Sequence, residues 1–260
     1  MKEVLMCPPT AFDVIYQINP WMSLSNRPDK KVARSQWDSL YEAYINNGIK
    51  VNLIDQHPDL PDMVFTANAG VVHQKTFISA KFISKERTQE EIFFQEWFKN
   101  NNYEVKKLNH YQGGEGDALN YNNKLYCGYG YRSDIESHHE LAELLNKDVV
   151  SIKIVDSKFY DFDLTFCPLG NKAVLYYPGA YDEQSQKIAK DIPNAIQLSH
   201  EQASKHLCNS VYVNDKLFMG QHDKELEKKL IKLDIEPVIL DISEFRKAGG
   251  GLKCLTLKIA

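Results

Sequence analysis

The stretch DALNYNNKLYCGYGYRSDIESHHELAELLNKDVVSIKIV, residues 117–155, decides the fold. DALNY and KLYCGY are short β-rich runs, SDIESHHELAELLN is amphipathic with helical spacing, and VVSIKIV is again β-rich. The order strand, strand, helix, strand recurs on both sides. Upstream, Asn68 to Ile78 reads as two strands joined at His73-Gln74-Lys75, followed by the helix ERTQEEIFFQEWFKNNN and the strand YEVKKL. Downstream come FDLTFCPL and KAVLYY, the helix EQSQKIAKDI and the strand AIQL, then SVYVN, KLFMG, DKELEKKLIKL and PVIL. At the start, KEVLMC and VNLID flank the helix DKKVARSQWDSLYEAYINNG. Its Val32, Trp37, Leu40, Tyr41 and Tyr44 recur at helical spacing, and Asn47-Gly48 stops it. LKCLTLKIA reads as a last strand.

One polar residue opens the first strand of each unit: Asn68, Asp117, Asp163 and Asn209, with Asn19 and Cys254 as outer members. By subtraction of residue numbers they stand 49, 49, 46, 46 and 45 residues apart. Near-equal spacing predicts about five copies of a ββαβ unit arranged around an axis like propeller blades. The polar residues would then converge on that axis. The expectation is one α/β domain over residues 1–260.

Composition excludes several classes. The 260 residues are 43% hydrophobic and 25% charged, ordinary for a globular chain. A net charge of −4 offers no field for nucleic acid. No apolar run reaches the length of a signal peptide core or a membrane span. Five cysteines without tight pairs (Cys7, Cys127, Cys167, Cys208 and Cys254) argue against disulfides and cysteine-rich zinc sites, and place the chain in a reducing cytoplasm. The carboxylates have no histidine partners at ligand spacing, so neither a metal nor a cofactor is expected. Whether copies of the chain associate is left open.

The chemistry gathers in three motifs. In AGGGLKC, Gly249, Gly250 and Gly251 let a ligand approach a thiol, Cys254, which marks that thiol as the candidate nucleophile. A phosphate-binding loop would need a following helix and a lysine and hydroxyl spacing that are absent. GGEGDAL holds Glu115 and Asp117, and FYDFDLTFC holds Asp161 and Asp163, each pair two residues apart. On a strand both members of a pair would share one face. Thiol and acids together call for a cationic, nitrogen-rich substrate such as a guanidinium, which pairs bidentately with carboxylates. Arg132, in GYGYRSD, would anchor a carboxylate at the far end of the same molecule. That combination describes arginine or a close relative.

The chain resembles the guanidine-modifying, or pentein, superfamily through MCPPTAFDVIYQINPWM, LPDMVFTANAG, GGEGDAL, GYGYRSD, FYDFDLTFCPL and SEFRKAGGGLKCLTL. The resemblance implies a five-bladed α/β propeller. It implies that Cys254 attacks the guanidine carbon to form a covalent adduct, that Asp163 and Glu115 or Asp117 grip guanidine nitrogens, and that Arg132 binds the substrate carboxylate. Arginine deiminases carry aspartate where this chain has Asn68. INPWM, with Asn19, and FTANAG, with Asn68, look like the arginine dihydrolases, which take arginine through to ornithine, ammonia and carbon dioxide. Dimethylarginine hydrolysis, deimination and amidino transfer are the alternatives within the superfamily.

One position departs from the pattern. Relatives carry a histidine, acting as general acid and base, where this chain has Asp161. None of the eight histidines is an obvious replacement, although His110 stands just before GGEGDAL. Asp161 therefore stands for an altered mechanism, an altered substrate, a silent arginine-binding protein or an engineered change.

Overall fold

Each repeat unit folds into a three-stranded sheet whose middle strand pairs antiparallel with the strand before it and parallel with the strand after it. The structure, a computed structural model, describes residues 2–260. In the third sheet the strands are Ala118–Tyr121, Lys124–Tyr129 and Val149–Lys153, with the helix Ile135–Leu145 making the crossover. The hairpin turns at Asn122 and Asn123, both at positive φ (48° and 63°), the pair of left-handed residues a two-residue hairpin loop requires. The helix is needed because parallel strands cannot be joined by a tight turn.

The second, fourth and fifth sheets repeat this order over Gly70–Lys107, Phe166–Gln197 and Val211–Ile239. The first is assembled from both ends of the chain. Leu257–Lys258 pairs antiparallel with Glu3–Met6, which pairs parallel with Lys50–Leu53 after the helix Lys30–Asn46. The five sheets make the five-bladed α/β propeller anticipated from the spacing. Asp29 caps the first helix by accepting from the amides of Lys31 and Val32, and Ala33, Trp37, Leu40 and Tyr44 turn into the core. Val32, expected on that face, stays exposed. Among the described residues no helix is long and apolar enough to cross a membrane.

The first strands begin later than their sequence indicates. Asp161 precedes, and Asp163 lies in, a turn of 3₁₀ helix at Phe162–Leu164, and the strand starts only at Phe166. Asn68 lies in the equivalent turn Thr66–Ala69, and Glu115 in Gly114–Gly116 just before Asp117. Cys254 also sits in a turn, with only Leu257–Lys258 of LKCLTLKIA forming a strand. At these blade ends no neighbouring strand is at hand. The turns satisfy the backbone locally, as in the bonds from Leu164 N to Asp161 O and Thr165 N to Phe162 O.

Candidate active site

These turns converge on a small cavity of about 10 Å³, room for about one water, walled by Asn19, Asn68, Arg132, Asp161, Gly250 and Cys254 among others. The Cys254 thiol is 2% exposed. Its Sγ donates to Asp163 Oδ2 at 3.3 Å and accepts from Asn209 Nδ2 at 3.0 Å. Asn209 Oδ1 also accepts from the Cys254 amide at 3.1 Å, so one carboxamide holds both backbone and sulfur. Burial first, then the charges of Asp163 and Asp161, push this thiol well above its ordinary pKa. The other four cysteines are buried.

The glycine run acts differently at each position. Only Gly249 needs positive φ, at 86°. Gly250 and Gly251 are glycines because added β-carbons would lie 2.1 Å from Phe65 Cε1 and 2.5 Å from Asn209 Oδ1.

Asp161 Oδ2 accepts from Asn68 Nδ2 at 3.3 Å, and its Oδ1 stands 3.8 Å from Arg132 Nε with no hydrogen bond. Asp163 Oδ1 is likewise buried and without a partner. Burial first, then Asp161, raise Asp163 well above the usual carboxylate range. Arg132 lies over the Tyr160 ring at 4.5 Å, and its guanidinium donates no hydrogen bond within the described residues. Asn19 Nδ2 donates to Ala248 O, while its Oδ1 accepts from Trp21 N, fastening the INPWM segment over the cavity.

Glu115 departs from expectation. Its carboxylate turns away from Cys254's cavity and accepts from Lys253 Nζ at 2.8 Å and Lys258 N at 3.1 Å. It lines a different cavity, on the other side of the turns. In a helix with three residues per turn, side chains two apart point in diverging directions, so the strand argument that paired Glu115 with Asp117 fails. Asp117 is also held off the cavity wall, accepting from Ser133 Oγ at 2.6 Å and Phe162 N at 2.9 Å. His110 is no replacement for the absent histidine, since it pairs with Glu140 at the surface. His206 is buried edge-on against Trp21 with neither ring nitrogen hydrogen-bonded.

Three residues escaped the sequence reading. Asn209 was a landmark of the repeat but had no acidic neighbour to mark it as a site residue. Asp62 lines the cavity with Oδ1 unpartnered, while Oδ2 accepts from Tyr16 at 3.0 Å. Arg87 is 2% exposed, bonded twice to Glu90 and once to Asn68 Oδ1. The sequence reading starts this helix at ERTQEE, yet the helix begins only at Glu90.

The acids give a pH signature. Burial, then the charge of Asp161, pushes Asp117 up to about 8; Arg132, Asp163 and Cys127 are its other charged or titratable neighbours. An acid neutral in the fold but ionised near 4 when unfolded contributes stability that is full below about 4 and lost as pH rises to about 8. Buried His206 and His138, lowered by burial to about 3 and about 4, act oppositely. Their contribution is complete above about 6.5 and lost as pH falls. Above 6.5 only the acids remain. Denaturant-measured stability is expected to fall between about pH 6.5 and 8, at up to about 1.4 kcal/mol per pH unit per group, and Asp117→Asn should flatten the slope. A rise over that window would contradict this assignment.

A five-bladed α/β propeller that brings a thiol, carboxylates, carboxamides and arginines to one end of its blades defines the pentein class. The chain belongs to the N,N-dimethylarginine dimethylhydrolase family, whose eukaryotic model matches residues 5–260. It is 38% identical over 98% of its length to the bifunctional arginine dihydrolase/ornithine cyclodeaminase AgrE of Nostoc, but spans only 37% of that protein. It is 34% identical to the N(G),N(G)-dimethylarginine dimethylaminohydrolase of Mycobacterium tuberculosis, covering 99% of this chain and 86% of that one. The solved N-terminal domain of ArgZ, a cyanobacterial arginine dihydrolase in a cysteine-to-serine form bound to substrate, superposes with a TM-score of 0.95. It shares 37% identity over 99% of this chain and 98% of that chain.

Proposed function

We propose that the chain is a hydrolase of the guanidino C–N bonds of arginine-type compounds, acting through a covalent adduct on Cys254. The observation that carries this is the thiol held between Asp163 and Asn209 at a cavity wall shared with Asp161, Asn68 and Arg132. The bound guanidinium, a cation beside the carboxylate, favours ionised Asp163, whose Oδ2 receives the thiol proton. Sulfur attacks the guanidine carbon and a C–S bond forms. One terminal C–N bond then breaks, and ammonia leaves with the proton from Asp163. Water attacks the amidino thioether, and the C–S electron pair returns to sulfur. With arginine the product of this round is a ureido compound. A second round releases the second ammonia and leaves a carbamate that loses carbon dioxide. Arginine and two waters thus give ornithine, two ammonia and carbon dioxide, the reaction supported by the relatives' names. Asp161 and Asp163 supply acceptors for the guanidinium, and the carboxamides of Asn19 and Asn68 suit the ureido stage, since an amide donates to a carbonyl oxygen.

Incubation with arginine and analysis of the amines tests this reading. Ornithine supports it, citrulline indicates a deiminase, and dimethylamine from dimethylarginine indicates the second family activity. Amidino transfer would need an added amine acceptor. A silent binding protein is favoured by one observation, the carboxylate of Asp161 with no histidine lining the Cys254 cavity among the described residues, and would show saturable binding without product. The reading takes a small guanidine as ligand, with no nucleic acid, membrane, metal or cofactor. It places the chain in a reducing cytoplasm, where five free cysteines stay thiols. Arg132→Ala is expected to weaken arginine binding about ten- to a hundredfold, the worth of one charge-assisted hydrogen bond, and agmatine binding much less, because agmatine has no carboxylate. Equal losses in calorimetry would remove Arg132 from that role.

A further inference from the structure

The cavity into which Glu115 points is the larger one, about 350 Å³, and it shares no lining residue with the cavity at Cys254. It lies between the first strands of the third, fourth and fifth blades. Lys147, Lys253 and Lys258 line it, and Glu115 is its only acid. In a chain of net charge −4, this is a local excess of positive charge.

The one acid is already committed. Glu115, 6% exposed, accepts from Lys253 Nζ and from the Lys258 amide. The ammonium groups of Lys147 and Lys258 have no carboxylate within 4.0 Å among the described residues. Both line the same cavity. Burial first, then the charge of Lys258, lowers the pKa of Lys147. Lys147 Nζ spends one donor on Asn120 Oδ1 at 2.6 Å. The carboxamide NH₂ groups of Asn120 and Asn171, both in the wall, donate no hydrogen bond within the described residues. The cavity thus presents two ammonium groups without a carboxylate partner and two carboxamide NH₂ groups with no acceptor, and no free carboxylate faces them. Like charges converging in a concave, donor-rich site are relieved by an anion between them.

We propose that this cavity binds a small phosphate-bearing anion, gripped by Lys147 and Lys258 with Asn120 and Asn171 completing the set of donors. Its volume is that of a small-molecule site, larger than a bare oxyanion needs, so the phosphate is carried on a small organic body. The Lys253–Glu115 pair forms the floor.

Calorimetry on the full chain, with adenosine 5′-monophosphate and inorganic phosphate as probes, tests the assignment. Adenosine, and chloride at matched ionic strength, are the controls. The expected result is saturable one-to-one binding of the monophosphate, unchanged in Cys254→Ser and weakened at least about tenfold by each of Lys147→Ala and Lys258→Ala. Lys147→Arg and Lys258→Arg should retain most of the affinity. Both lysines lie at the rim, and circular dichroism checks that the variants fold. Inorganic phosphate binding as tightly as the monophosphate would overturn the organic body. No saturable binding of either probe, or an affinity indifferent to both lysines, would overturn the site.

Discussion

Serine in place of Cys254 is expected to lower turnover of arginine at least about a thousandfold, because a hydroxyl at neutral pH is a far weaker nucleophile than a thiol. The substitution is conservative in every other respect. Serine keeps a donor for Asp163 Oδ2 and an acceptor for Asn209 Nδ2, the two contacts that hold the sulfur. Fold and ligand affinity should therefore survive while chemistry stops. Mass spectrometry after a brief incubation with arginine should find an amidino adduct on the native chain, confined to the peptide carrying Cys254, and none on the variant. The other four thiols are buried, and nothing in the geometry aims them at the cavity. Near-native ornithine production by the variant would end the covalent mechanism.

The second large effect is expected at Asp161. Its negative charge helps to raise the Cys254 pKa, behind burial and Asp163. Histidine there would remove that charge and, when protonated, reverse it. Burial persists in the variant, so the thiol pKa is expected to fall in Asp161→His while staying raised, together with faster turnover of arginine. Alkylation by iodoacetamide across pH reads the thiol directly. The native chain should react slowly, and faster with a cationic haloacetamidine, whose charge the acids attract. A native thiol pKa well below about 8, combined with lower activity in Asp161→His, would show that Asp161 performs catalysis of its own.

The propeller was legible because one polar residue recurs at each blade entrance; Asn68, Asp117, Asp163 and Asn209 marked the repeat before any contact was known. The thiol at the cavity was legible because three glycines before Cys254 have no use in an ordinary strand. Side-chain direction was not. Short 3₁₀ turns and strand starts use the same residues here, and the difference decides where a carboxylate points. Hence Glu115 turns to another cavity, while Asp161 lines the Cys254 cavity and Asp163 bonds the Cys254 thiol although the strand argument for them was mistaken. Arg87 and Glu90 could not be found from composition. A run of charges looks solvated until the fold buries it, and their pairing depends on Asn68 and Asp62 from another segment.

The first blade, made from both ends of the chain, bears on how the protein acquires its reactivity. Val4 pairs with Lys258 and Leu5 with Leu257, contacts separated by nearly the entire sequence. Bringing such distant segments together costs about 5 kcal/mol of loop-closure entropy, more than any pairing within a blade. Contacts of this kind form slowly and, as a rule, late. Cys254 lies three residues before the closing strand and takes its position from Asn209 and Asp163 on two other blades. A chain with four blades formed and the ring still open would carry Cys254 as an ordinary thiol, without Asn209 and Asp163 around it. If that seam closes last, the surroundings of Cys254 assemble only then, and the alkylation rate of this one cysteine during refolding is expected to serve as a clock for that event.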